Sequence, residues 1–77
     1  MTLNMAALNQ DLRVVGIEGG LRMKQRLADL GLNQGETIRV LHDSGHGALI
    51  LAVKDSRLAI GRGMANRILV EPIHTCN

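Results

Sequence analysis

The chain has 77 residues, of which 45% are hydrophobic and 21% charged, a composition typical of a small globular domain rather than a disordered chain. The formal net charge is +2 with no aromatic residue, so the rings on which single-strand and RNA-binding proteins stack bases are missing, and we expect no nucleic-acid partner. Cys76 is the one cysteine, which excludes an intramolecular disulfide, and the longest apolar run, 48–53, is too short to insert into a membrane.

The domain organisation follows from the length. One domain is the limit, because a chain this short buries only about 60% of its unfolded surface. The stretch before Leu12 has helical apolar spacing but is short and poorly capped. We therefore expect a single domain over 1–77, with its core at about 8–71 and frayed tails at both ends.

A strand and a helix are predicted in the first half of the chain. Arg13–Ile17 is typical of a strand, with Val15 and Ile17 on one face. The helix is predicted over Leu21–Leu30, and its apolar face repeats once per turn at Met23, Leu27 and Leu30. Gly31 is placed to end this helix in a left-handed conformation, with Leu32 making the apolar contact that follows.

The second half predicts further short strands. Three of them form a meander: Glu36–His42, Ala48–Val53 and Arg57–Ile60. A one-turn helix within Gly61–Asn66 and a last strand at Ile68–Val70 follow. Five short strands need closure to hide their edges. We therefore predict a mostly β fold, a small SH3-like barrel with one α-helix between the first and second strands and a one-turn helix before the last.

Two blocks of sequence carry a resemblance to a known family. The first block comprises Gly19-Gly20, Arg26–Leu32, Gly35 and Ile38–Val40, and the second comprises Ala59–Ala65 and Ile68–Val70. In this order and spacing they closely resemble the FeoA family, the small ferrous iron transport protein A of bacteria, over about Leu8 to Glu71. The chain departs from the family pattern in two turns, at Gly47-Ala48 and at Asp55-Ser56.

The resemblance implies both a fold and a function. The implied fold is the SH3-like barrel. The implied function is that of a cytoplasmic accessory and regulatory protein of ferrous iron uptake, which docks onto FeoB, the membrane iron transporter that carries a GTP-binding domain. The same domain also occurs at the C-terminus of metal-dependent repressors. Because no DNA-binding domain precedes it here, we expect the transport role.

Catalytic motifs are missing from the sequence. No glycine-rich string is followed by Lys and Ser or Thr, as a phosphate-binding loop requires. His42, Asp43 and Ser44 have the residue types of a catalytic triad, but adjacent residues do not easily converge on one substrate atom. We therefore expect no enzyme activity and no required cofactor.

A metal site is the alternative that the sequence leaves open. The candidate ligands are His42, His46, His74 and Cys76. They form no paired ligand motif, although His74 and Cys76 share a face if the tail is extended. Weak binding of iron or zinc by these residues would make the protein a small transition-metal carrier or sensor.

The candidate partner surface is the predicted helix with its flanks. An SH3-like groove for proline-rich peptides is excluded, because that groove is lined by aromatic residues. Leu21 and Leu32 lie off the main apolar face of the helix, beside basic side chains. The candidate contact residues are Leu21, Arg22, Lys24, Arg26, Leu32, Arg62 and Met64. The sequence leaves the oligomeric state open.

Overall fold

Short strands and helices alternate along residues 1–45 and 47–73, the part of the chain that the computed structural model describes. A 3-10 turn, Leu3–Met5, comes first. The elements that follow are β1 (Asp11–Ile17), α1 (Leu21–Asp29), β2 (Thr37–Asp43), β3 (Ala48–Val53), β4 (Ser56–Gly61), α2 (Arg62–Ala65) and β5 (Ile68–Pro72). The predicted helices and strands are all present. None of the helices in these two ranges is long and apolar enough to span a bilayer.

The strands form one antiparallel sheet in the order β4-β3-β2-β1-β5. β4 and β5 are therefore the two edges. α2 packs against β3, β4 and the 3-10 turn, and the turn packs against β5. The turn and α2 thus fill the gap between the edge strands, which a sheet of short strands needs to have covered.

The N-terminal residues belong to the folded core. Thr2 forms an isolated antiparallel bridge with Leu69, and the Val70 N–H donates to the Met1 carbonyl at 2.8 Å. Leu3 follows and is only 1% exposed. The prediction of a frayed tail before residue 8 is wrong, because these residues pair with β5 and place Leu3 between the edge strands.

A bulge in β1 changes which side chains face the core. Val14 pairs with Val70 and Gly16 pairs with Leu69, so Val15 is an extra residue opposite the gap between them. Val14 is buried and Val15 is 37% exposed. The prediction that Val15 and Ile17 share a face is wrong, because a bulge interrupts the alternation of a strand.

The core is entirely aliphatic. No charged or polar residue in the described ranges is buried. The fourteen buried residues are Leu3, Leu12, Val14, Leu27, Leu32, Ile38, Val40, Leu49, Leu51, Val53, Ile60, Ala65, Ile68 and Val70. They come from all five strands, both helices and the chain segments beside them. Because branched aliphatic side chains fit a pleated surface well, this composition suits a small curved sheet.

Candidate docking surface

Helix α1 is joined to the barrel mainly at its C-terminal end. Leu27 is fully buried and Met23 packs partly against the core. The helix ends in a Schellman motif: the Leu32 N–H donates to the Leu27 carbonyl at 2.8 Å, and the Gly31 N–H donates to the Ala28 carbonyl at 2.9 Å. Gly31 has a φ of 91°, the left-handed region that glycine adopts without strain. The predicted helix stop is confirmed.

The chain reversal at Gly31 also determines where Leu30 and Leu32 lie, and both differ from a prediction. Leu32 is fully buried because the reversal folds it back under the helix, which confirms its predicted apolar contact. Its placement off the apolar face, among the candidate contact residues, is wrong for the same reason. Leu30 was predicted to be a core residue, but it is the C-cap residue and is 41% exposed. Leu32 therefore belongs to the core and Leu30 to the surface.

The remaining candidates on α1 are brought together on an open surface. Leu21 is 71% exposed, and Arg22, Lys24 and Arg26 are all exposed. None of these three cations forms an ion pair with any residue in the described ranges. The first turn has no acidic residue, and the N-cap residue, Gly20, provides no side-chain cap. Because positive charge near a helix N-terminus opposes the helix dipole, Arg22 and Lys24 do not serve the stability of α1.

The net positive charge of the chain lies on α1, because the charges outside this helix balance one another. The described residues form four ion pairs outside the helix, which are Arg13–Glu71, Arg39–Asp11, Lys54–Glu36 and Arg62–Asp43. Each pair joins one cation to one anion, so it adds nothing to the net charge. Two unpaired basic residues outside α1, Arg57 and Arg67, are balanced by the two unpaired acidic residues Glu18 and Asp55. The three cations and one carboxylate of α1 therefore give +2, the formal net charge of the whole chain.

Arg62 and Met64 occupy a different element, α2. The Arg62 guanidinium donates a hydrogen bond to the Asp43 carboxylate at the end of β2. The Gly45 N–H donates to the same carboxylate at 3.0 Å. The Gly45 bond and then the Arg62 bond lower the pKa of Asp43. Met64 packs partly against the core. Arg62 thus ties α2 to the β2–β3 connection.

The metal candidates are only partly covered by the structure. His42 lies exposed near the end of β2. His46, His74 and Cys76 lie outside the described residues. Within the described part of the chain, no three histidine, cysteine, aspartate or glutamate side chains come close enough to hold a metal ion. The metal-carrier alternative stays a prediction.

Two clefts run along the sides of α1. One lies on the side of Arg22, Arg26 and Asp29. The other, of about 500 Å³, separates α1 from the ends of β1 and β5, and its lining includes Lys24 and Ala28. The second cleft was not predictable from the sequence, since it forms only when α1 is laid beside both β1 and β5, and β5 lies far from α1 in the chain.

Sequence comparison places this fold and surface in a family. The model of the FeoA domain matches residues 1–72, nearly the whole chain. The chain belongs to the FeoA family. The family is part of the Feo ferrous iron transport system and is not known as an enzyme family.

Individual relatives agree with this assignment. A protein of Methanocaldococcus jannaschii named Fe(2+) transport protein A is 36% identical over 69 residues, covering 90% of this chain and 83% of that protein. A crystal structure of an iron uptake regulatory protein (FeoA) is 36% identical with a TM-score of 0.88, covering 95% of this chain and 97% of that one. The FeoA-type structure confirms the predicted SH3-like fold.

The domain also occurs within a larger protein. The manganese-activated repressor ScaR, in its apo form, is 27% identical with a TM-score of 0.85. The match covers 95% of this chain but 35% of that repressor. The FeoA-like fold is therefore one part of a longer chain there, whereas it makes up nearly all of the FeoA structure.

Proposed function

We propose that this protein is a non-catalytic, cytoplasmic accessory protein of ferrous iron uptake that docks onto the FeoB transporter through the exposed face of α1. The observation that carries the proposal is the concentration of unpaired positive charge on α1, next to the 71% exposed Leu21. Arginine is enriched at protein interfaces, and the exposed Leu21 adds apolar surface that a partner would bury. Family membership supports the transport setting.

Docking would regulate transport by preferring one state of the transporter. A ligand shifts an equilibrium only by the difference in its affinity for the two states. If FeoB changes shape with its bound nucleotide, an α1 face that fits one shape better stabilises that shape. The proposal therefore predicts that the affinity for FeoB changes with GTP.

The test is binding of the purified chain to detergent-solubilised FeoB from the same cell, with and without GTP. We expect saturable binding that Arg22→Glu weakens, with a larger loss in the double variant Arg22→Glu, Arg26→Glu. Arg57→Glu is the matched control, since Arg57 is an exposed, unpaired cation on β4 and the charge change is the same.

Two results would contradict the proposal. Equal loss of binding in Arg22→Glu and Arg57→Glu would mean that only the net charge matters and that α1 is not the docking face. No binding under either condition would reject the docking role. Metal titration of the full chain and of a chain truncated after Glu71 then tests the carrier alternative, because a tail-dependent carrier loses its metal on truncation.

A further inference from the structure

The groove between α1 and the strands has an apolar floor. Ile17 and Leu69 line it half-buried, and the fully buried Leu32 belongs to the same lining. Ala28 lines it from the helix and is exposed. The volume of this open groove is about 500 Å³. The groove therefore has room for one or more aliphatic side chains.

Gly16 leaves this floor open. Gly16 lines the groove directly after the bulged Val15 and has no side chain to fill it. A Cβ built on Gly16 would lie 3.6 Å from Leu69 Cδ1, an ordinary van der Waals contact. Packing against the strands therefore does not require glycine at position 16. The missing side chain at Gly16 instead leaves space next to Leu69.

The rim of the groove is polar and carries a single charge. Lys24 is the one charged residue in the lining, and it forms no ion pair within the described ranges. The other polar side chains are the amides of Gln25, Asn33 and Gln34. Side-chain amides both donate and accept hydrogen bonds, which suits the peptide groups of an extended segment. The lone cation suits a carboxylate.

α1 presents this groove on a different side from Arg22 and Arg26. Residues three and four apart lie on one side of a helix, which places Leu21, Lys24 and Ala28 in one row. Arg22 and Arg26 form the neighbouring row, beside the other cleft. Gln25 is the one residue that lines both clefts, so Lys24 and Ala28 can be substituted without changing the lining of the cleft beside Arg22 and Arg26.

We propose that this groove seats a short extended segment of the transporter, with an aliphatic side chain on the floor of Ile17 and Leu69 and a neighbouring Asp or Glu on Lys24. The inference rests on the proposed docking to FeoB and adds the chemistry of the segment that is bound. Burial of an aliphatic anchor supplies affinity. The carboxylate on Lys24 fixes the direction of the segment.

The experiment measures the affinity of the purified full-length variants for detergent-solubilised FeoB. Ala28→Leu fills the groove from an exposed helix position, where leucine and alanine are both good helix formers. We expect it to weaken binding by about tenfold or more, the size of effect seen for a central interface residue. Lys24→Gln should weaken binding less and reduce its dependence on salt. Ala59→Leu, at an exposed position of β4 outside the groove, should bind as the unmodified chain does.

The outcomes separate this inference from the proposed function. If Arg22→Glu weakens binding but Ala28→Leu and Lys24→Gln do not, the groove inference is wrong and the docking role stands. If the unmodified chain does not bind FeoB, both are wrong. If sedimentation shows self-association that only Ala28→Leu removes, while FeoB binding is unaffected, the groove holds a second copy and the inference is overturned. Far-UV circular dichroism melts of each variant verify that it is folded.

Discussion

Truncation of Leu3 tests whether the N-terminal turn is part of the core. Leu3 is 1% exposed and lies in the turn that fills the gap between β4 and β5. A buried leucine cut to alanine costs about 2 to 5 kcal/mol in free energy of unfolding. A 77-residue chain has about 4 to 12 kcal/mol in total, from about 0.05 to 0.15 per residue. We expect Leu3→Ala to remove about 3 kcal/mol.

Urea unfolding followed by far-UV circular dichroism measures this loss. With a slope of about 1 to 2 kcal/mol per molar urea, the midpoint should fall by about 1.5 to 3 M. Leu8→Ala is the matched control, since Leu8 is 51% exposed and lies three residues beyond Met5, where the same turn ends. It should cost less than about 0.5 kcal/mol. Equal and small losses in both variants would refute the packing of the N-terminal turn.

Three further outcomes are expected. Gly31→Ala places a side chain at a φ of 91° and should cost about 1 kcal/mol or more in urea unfolding, whereas Gly63→Ala, in α2 with open space around it, should not destabilise the chain. The lowered pKa of Asp43 stabilises the fold above the ordinary carboxyl pKa of about 4, and this stability is lost as the pH falls through the lower folded value. The free energy of unfolding should therefore fall less steeply with decreasing pH in Asp43→Asn than in the unmodified chain. Equal pH dependence in the two proteins would contradict the lowered pKa of Asp43. A double-mutant cycle on Asp11 and Arg39, a half-exposed pair at 2.5 Å, should give about 0.2 to 1 kcal/mol that decreases with added salt.

Local signals in the sequence predicted the local structure well. The glycine after the helix predicted its end at the right place, because a left-handed C-cap depends only on the residues around Gly31. Alternation and turn residues placed the strands within two residues of their observed bounds. The order of strands and helices then predicted the fold class, since few architectures bury the edges of five short strands.

Features that depend on distant contacts were not predictable in the same way. The β1 bulge arises from pairing with β5, and the sequence Val14-Val15 offers apolar residues for either face. Leu3 depends on the gap between two strands far from it in sequence.

The candidate surface was predictable where it depends on helical spacing and not where it depends on distant contacts. Arg22, Lys24 and Arg26 follow from helical spacing and are exposed as expected. The pairing of Arg62 with Asp43 joins two elements 19 residues apart and removes Arg62 from the set of unengaged cations. The docking role of the helix residues stays a prediction until binding is measured.

The all-aliphatic core has a practical consequence for observing this molecule. With no tryptophan, tyrosine or phenylalanine, the chain has no intrinsic fluorescence and almost no absorbance in the near ultraviolet, where aromatic rings absorb. A single tryptophan introduced at exposed Leu21 would therefore be the only emitter in the protein, free of background from the interior. Every buried side chain in the described ranges, in turn, ends in methyl groups, so isotope labelling of leucine, valine and isoleucine methyls would report on nearly all of that interior in one spectrum.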